Sequence, residues 1–338
     1  MSAFWAAEAR FDWEGYVSER GGMRALRGRR DEYLMACPDC GKTKLAINVK
    51  RRAWRCFTCD DAGRDAASLV GKIDQLPFRD AIAVVLGGHH RPIGSIERVE
   101  PKLGADSERP RSWIPQARPL PEAFEPVGGH SSVGITGLRY AHERGIPEYV
   151  SQAMALGVCS RGRFRNRLVF PVFDNANRLI FYQGRAMWTP KPYERFIKTL
   201  SPRTEDDGQA GSGDCLLNLA YVAREGLDKI LVTEGPIDCA HAWPDAVCTF
   251  GKNLSGRQIE LMMRAGIRAI DLCFDADAVD AMVKAAPLLA DLFRVRVVRL
   301  PPGQDPGGLT KDEIEAFRAV AVEWGTGQRL EQVRTTLK

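Results

Sequence analysis

Four cysteines in one short stretch, CPDCGKTKLAINVKRRAWRCFTC (Cys37 to Cys59), constrain this chain more than any other feature. Their spacing is Cys-x2-Cys-x15-Cys-x2-Cys, within the range that wraps four thiolates around one zinc ion. Pro38 and Gly41 flank the first pair, and Asp60-Asp61-Ala62-Gly63 closes the second, so each pair reads as a tight knuckle. Between them, LAINVKRRAWRCF alternates well enough for a two-strand hairpin. A β unit this small needs a staple, and a structural Zn2+ held by Cys37, Cys40, Cys56 and Cys59 supplies one. Two Cys-x-x-Cys pairs lie too close together for a thioredoxin-like redox site. The GKT at 41–43 resembles the tail of a phosphate loop, but Ala36 stands where its first glycine belongs.

The chain has nine cysteines, an odd number, and its first residues, MSAFWAAEARFDWEGYV, do not read as a signal peptide. Both points argue against a disulfide framework. Cys159, Cys215, Cys239, Cys248 and Cys273 sit mostly in apolar strings and read as core thiols. No apolar run approaches the roughly 18 residues that span a bilayer, so a cytoplasmic protein without a membrane partner is expected.

Charge is distributed unevenly. The net charge is only +5, yet Arg20 to Arg55 holds eleven Lys or Arg and three Asp or Glu. A field of that kind suits a polyanion, and a solvated face explains it equally well. In the hairpin, Lys42, Lys44, Lys50, Arg51, Arg52 and Arg55 can neutralise phosphates. Trp54 either stacks on an unpaired base or covers the zinc knuckle.

The expected architecture is multidomain, α+β and α/β. Residues 1–86 form a zinc-ribbon unit. Residues 87–130 contain seven prolines and read as a linker, with His89, His90 and His130 in solvent. Residues 131–213 hold two helices separated by Gly145 and Pro147, then strands RLVFPVFD and LIFYQGRAMW. From 214 to 310 the rhythm changes: KILVTEG, AVCTFG, AIDLCFD and VRVVRLP are short apolar strands alternating with helices. That pattern means a parallel sheet covered on both faces. Residues 311–338 read as C-terminal helices.

Acids end these strands. Glu234 closes KILVTEG, Asp275 and Asp277 close AIDLCFDAD, and Asp305 follows the last strand. The functional crevice of such a sheet lies at the carboxyl ends of its strands, so these acids converge there. Clustered carboxylates favour a hard divalent cation, and Mg2+ bound by one or two of them keeps waters for substrate phosphates. For Asp238 and Asp280, a helix N-cap or first-turn role accounts for the charge as well.

EGPID, FDADAVDAM and QDPGG resemble the Toprim motifs Glu-Gly-x-x-Asp, Asp-x-Asp and Asp-Pro. RYAHERGI, RNRLVFPVFD, the GR at 184–185 and RFIKTLSP resemble the RNA-polymerase core of the bacterial-type replicative primases. A four-cysteine ribbon followed by GRDAASLV is similar to the zinc domain of those enzymes in its phage variant. The resemblance implies a DNA primase, a DNA-templated RNA polymerase that makes short primers. It implies that Glu234, Asp275 and Asp277 bind catalytic Mg2+ or Mn2+, supported by Asp238 and Asp305. It places Arg167, Arg185 and Lys198 on a basic ridge facing template, primer or nucleotide phosphates. The implied partners are a single-stranded DNA template, ribonucleoside triphosphates, an RNA–DNA primer duplex and a separate replicative helicase, in a bacterial host cytoplasm if the chain is phage-encoded. Three departures from the family pattern stand out: Cys40 where histidine is frequent, Asp280 where glycine is usual, and Gly307 where a further acid is usual. The competing expectations are a RecR-like mediator that binds DNA without catalysis and a Toprim nuclease.

Overall fold

The computed structural model describes residues 3–25, 31–59, 61–87, 113–189, 196–204, 208–274 and 289–324. Three five-stranded sheets organise them. The first is antiparallel and runs in chain order: β1 (Met23–Arg24), β2 (Glu32–Met35), β3 (Leu45–Asn48), β4 (Ala53–Cys56) and β5 (Asp61–Gly63). The expected hairpin is β3–β4, with Ile47 paired to Trp54. Helices α1 (Ala3–Arg10) and α2 (Trp13–Glu19) precede the sheet, and α3 (Ala66–Asp74) and α4 (Phe78–Val85) follow it. Asp65 caps α3 by accepting from the Ser68 amide at 2.7 Å.

The second sheet is antiparallel, in the order β10-β9-β8-β7-β6. Its strands are β6 (Phe124–Pro126), β7 (Gly157–Cys159), β8 (Arg167–Phe173), β9 (Leu179–Ala186) and β10 (Thr199–Leu200). Helices α5 (Ser132–Glu143) and α6 (Glu148–Ala153) join β6 to β7. The expected linker over 87–130 is therefore partly structural, because Phe124–Pro126 pairs with β7. As an edge strand, β6 tolerates Pro126, which has no amide to donate. Residues 88–112, including His89 and His90, lie outside the described residues. Pro171 sits within β8 without breaking it, because β7 pairs only with Leu168 and Val169.

The third sheet has the order β12-β11-β13-β14-β15. β11 (Lys229–Thr233), β12 (Ala246–Cys248), β13 (Ala269–Cys273) and β14 (Arg294–Val297) are parallel, as the apolar runs imply, and β15 (Val322–Glu323) closes the edge antiparallel. Around it lie α7 (Leu219–Glu225), α8 (Pro236–His241), α9 (Gly256–Arg264) and α10 (Lys311–Ala319). The C-terminal region thus supplies one helix and an edge strand among the described residues, where helices alone were expected.

Both faces of the third sheet are buried, in different company. Ile230, Val232, Ile270, Leu272, Val295 and Val297 join a core that continues through α9 into the ribbon, reaching Leu69, Ile47, Leu45 and Phe4. Leu231, Cys273 and Val298 join a second core with Phe170 and Phe181 of the second sheet. Strand alternation sends successive side chains to opposite faces, so one sheet serves both neighbours. Asp271, 1% exposed within β13, accepts from both Arg296 nitrogens at 2.6 Å and from Arg318 Nε at 2.6 Å. That pairing fastens α10 across the sheet and holds the carboxyl below its usual range despite burial.

Candidate metal centre and nucleic-acid interface

The two knuckles bring all four cysteine sulfurs within 4.8 Å of one another. Cys37 Sγ lies 3.7 Å from Cys59 Sγ, and Cys40 Sγ 3.8 Å from Cys56 Sγ. A tetrahedron of thiolates about 2.3 Å from zinc has edges of about 3.8 Å, so the donor set and its size fit that ion. The Gly41 amide donates to the Cys37 carbonyl at 2.8 Å and the Cys37 amide to the Lys42 carbonyl at 2.9 Å, which fixes the first knuckle.

The hairpin sorts its cations. Lys42, Lys44, Lys50, Arg51 and Arg55 are exposed. Arg52 instead turns back to the α1–α2 junction and donates to the Glu8, Ala9 and Phe11 carbonyls. Stacking of Trp54 on a base does not hold in this fold: it is 2% exposed and its Nε1 donates to Ser68 Oγ at 2.9 Å. Lys72 and Arg264 place their charges 5.7 Å from its ring. Between the second pair of cysteines, Phe57 is 65% exposed, with the Arg55 guanidinium 5.7 Å from its ring. Phe57 rather than Trp54 is thus the aromatic that the hairpin end presents to solvent. Its signal was a bulky apolar residue inside a knuckle, where packing space is scarce.

The ribbon is seated on the third sheet by a chain of buried ions. Lys72 donates to Asp39 and to Asp61, the latter at 2.9 Å. Arg264 of α9 reaches the other Asp61 oxygen at 2.5 Å and Glu260 at 2.9 Å. Burial pushes the Asp61 carboxyl up, but Arg264 and Lys72 outweigh it and hold the group below its usual range. Nothing in the spacing of these residues announced the contact.

On the second sheet, Arg167 is 5% exposed and donates to the Ile197 carbonyl at 2.9 Å, with the Lys198 carbonyl at 3.4 Å. The expected role of facing phosphates is corrected at this position: the guanidinium is spent on protein carbonyls. Those bonds hold the segment just before β10 that carries the exposed Lys198, next to Thr199, which pairs with the half-buried Arg185.

At the third sheet, Glu234 leaves β11 and Phe274 leaves β13 side by side, since Thr233 pairs with Cys273. Asp275, Asp277 and Asp280 lie outside the described residues. Asp238, in the first turn of α8, is 9% exposed and its Oδ2 accepts from the Gly235 amide at 2.9 Å, closing the turn that presents Glu234. The exposed Asp305 comes close to this turn. A Cβ placed on Gly307 would sit 2.5 Å from Asp238 Oδ1 and 3.4 Å from Asp305 Oδ1. The space a side chain at 307 would need belongs to Asp238, which accounts for glycine there.

Comparison with known proteins places this arrangement. No family model matches the chain. It is 31% identical over 334 residues to a DNA primase of Pasteurella multocida, covering 84% of this chain and 55% of that protein. It is 27% identical over 302 residues to a DNA primase of Deinococcus radiodurans, covering 77% and 50%. A DNA primase of Pseudomonas aeruginosa is 34% identical over 171 residues, 46% of this chain and 24% of that protein. Among solved structures, the zinc-binding and RNA-polymerase domains of the Aquifex aeolicus primase align over 96% of this chain and 86% of that one, at 18% identity and a TM-score of 0.47. A DnaG primase catalytic domain bound to single-stranded DNA aligns over 57% and 74%, at 25% identity and a TM-score of 0.47. In sequence the chain is similar to bacterial DNA primases. It spans between a quarter and just over half the length of these curated relatives.

Proposed function

We propose that this chain is a DNA primase of the phage-like type, joining ribonucleotides on a single-stranded DNA template in a Toprim site at the carboxyl end of the third sheet. The observation that carries the reading is the meeting of Glu234, Asp238 and the Asp305 loop at that edge, in a chain whose relatives are primases. Glu234, Asp275 and Asp277 hold Mg2+ or Mn2+, with Asp305 at the rim. Bound there, such an ion would supply charge neutralisation on the transferring phosphates. Asp238 acts by fixing the Glu234 turn. Lys198 and Arg185 meet phosphates of template, primer or nucleotide, and Arg167 positions Lys198.

In the same reading, residues 1–86 select the template, residues 131–213 and 214–310 form the polymerase core, and the four cysteines hold structural zinc. Phe57 takes the stacking role in place of Trp54, with Lys42, Lys44, Lys50, Arg51 and Arg55 on the strand's phosphates. A separate replicative helicase is the partner that opens the duplex. Setting is the cytoplasm; among the described residues no helix is long and apolar enough to cross a membrane.

The test is incubation with single-stranded templates, labelled ribonucleotides and Mg2+. Short RNA products are expected. Cut DNA instead would mean a Toprim nuclease, and template binding with neither product would mean a mediator.

A further inference from the structure

Trp188 lies two residues past β9 and is 37% exposed, whereas Trp5, Trp13, Trp54 and Trp324 are buried in the core that the ribbon shares with the third sheet. Aromatic rings dominate the energetics of cores and interfaces, so an indole left in solvent points to a surface that something covers. The ring is not loose. Phe196 meets it edge to face at 5.9 Å, and the Arg167 guanidinium carbon lies over it, 5.0 Å from its centroid. Arg167 is itself fixed by the Ile197 and Lys198 carbonyls. Shielding Arg167 takes only an apolar side chain, and gives no reason for a flat ring left this exposed.

The surroundings are cationic. The Met187 amide donates to the Asn166 carbonyl at 3.1 Å, which brings the loop before β8 against the strand end that carries Trp188. That loop holds Arg161, Arg163 and Arg165, all exposed. Lys198, also exposed, lies two residues beyond Phe196. Burial, and after it the charge of Arg163, hold the Arg167 guanidinium below its ordinary range. From Cys159 to Thr189 the sequence carries six arginines and a single acid. That acid, Asp174, pairs with Arg178 at the turn of the β8–β9 hairpin, the end away from Trp188.

We propose that Trp188 is a stacking platform for an unpaired base of a nucleic-acid strand whose phosphates meet the cations around it. The two kinds of group divide the contact. Arg161, Arg163, Arg165 and Lys198 take the phosphates, a contact that weakens steeply with salt. The indole takes the π-face of a base, which a duplex keeps covered by the neighbouring base pairs. Phe196 and Arg167 hold the ring in one orientation, so little freedom is lost when a base lies on it. Resting on the primase reading, the strand is the single-stranded template.

The experiment measures binding of the full chain, over a salt series, to a labelled single-stranded oligodeoxynucleotide, to the same sequence as a duplex, to a strand of abasic sites, and to ATP. Trp188→Leu keeps an apolar cover on Arg167 and removes the flat ring. It should weaken single-strand binding about tenfold, the order of one base–aromatic stack, with the slope of log affinity against log salt unchanged. Its binding to duplex, abasic strand and ATP should match wild type. Trp188→Tyr should recover most of the loss, as a structural cover alone would not require. Lys198→Ala should instead lower the salt slope by about 0.7, the share of one phosphate contact on a single strand. Wild-type binding to every ligand by Trp188→Leu overturns the proposal. So does an equal loss on single strand and abasic strand, which would make the ring a prop for Arg167, and so does a loss confined to ATP or a wild-type chain that binds no strand. None of these readouts needs turnover: a wild type that binds strands as expected but makes no primers would overturn the primase reading and leave the stacking role decided.

Discussion

The ribbon and the parallel sheet are neighbours on one hydrocarbon core, yet different forces make each of them. The sheet buries apolar side chains on both faces, Ile230, Val232, Ile270 and Leu272 on one and Leu231 and Cys273 on the other. The ribbon has one covered face, and its far side carries Leu34, Arg55 and Phe57 in solvent. What closes the ribbon is four sulfurs drawn from two short knuckles. The functional groups differ in the same way. The ribbon's ligands are local in sequence, whereas the acids at the sheet come from loops that only the strand order brings together. A locally built site is robust to changes elsewhere in the chain. A site assembled by topology is sensitive to whatever holds its loops.

The most severe break of this comparison is removal of the metal. A structural thiolate site contributes on the order of 10 kcal/mol to folding, so Cys56→Ser or chelation should strip exchange protection from residues 31–59 while 229–274 keeps it. Equal loss in both regions would mean that the ribbon is not a separately stapled unit. Next in size is Asp275→Ala, expected to reduce primer synthesis by about 1000-fold or more, in the range of losing one main transition-state charge stabiliser, with template affinity unchanged. Near wild-type synthesis by this variant would sink the metal assignment.

The junction between the two regions should be worth less. Arg264→Ala leaves Glu260 without that partner and Asp61 with Lys72 alone, and breaking a buried pair costs about 3 kcal/mol. A denaturation midpoint that does not move would show that the hydrocarbon core alone seats the ribbon. Of comparable size is the pH dependence set by Glu8. Burial raises its carboxyl to about 7 although it accepts from the Ala66 amide and from Trp13. The folded state then holds a proton that the unfolded chain releases near its ordinary value, so stability falls as pH rises from about 4.5 to 7, by about 3 kcal/mol, and stays low above it. Glu8→Gln should flatten that slope in thermal melts; an unchanged slope would assign it to other groups. The smallest effect belongs to Phe57→Ala, which should weaken single-stranded template binding about tenfold, the value of one base stack, without altering zinc content. Trp54→Phe should leave template affinity intact and lower stability, because Ser68 loses its donor.

The legible parts of this protein were those in which neighbouring residues in the chain are neighbours in space. The cysteine spacing, the β3–β4 hairpin and the alternation of apolar strands with helices all belong to that kind, because thiolate geometry and backbone periodicity act over a few residues. Trp54 and Arg167 were not legible in this sense. Each is an amphipathic side chain whose role depends on what the fold lays over it: Ser68, Lys72 and Arg264 in one case, the Ile197 and Lys198 carbonyls in the other. The same holds for Phe124–Pro126, read as linker and found as an edge strand because its pairing partners, Gly157 to Cys159, lie more than 30 residues on.

By itself, then, the sequence determined the four-cysteine cluster and the parallel core, since covalent spacing and hydrophobic period are sufficient for those. The tertiary structure decided which cations face solvent, that the ribbon is clamped through Asp61 to Arg264, and that Gly307 leaves room for Asp238. Burial and pairing between distant segments are collective properties of the packed chain, and no local pattern encodes them.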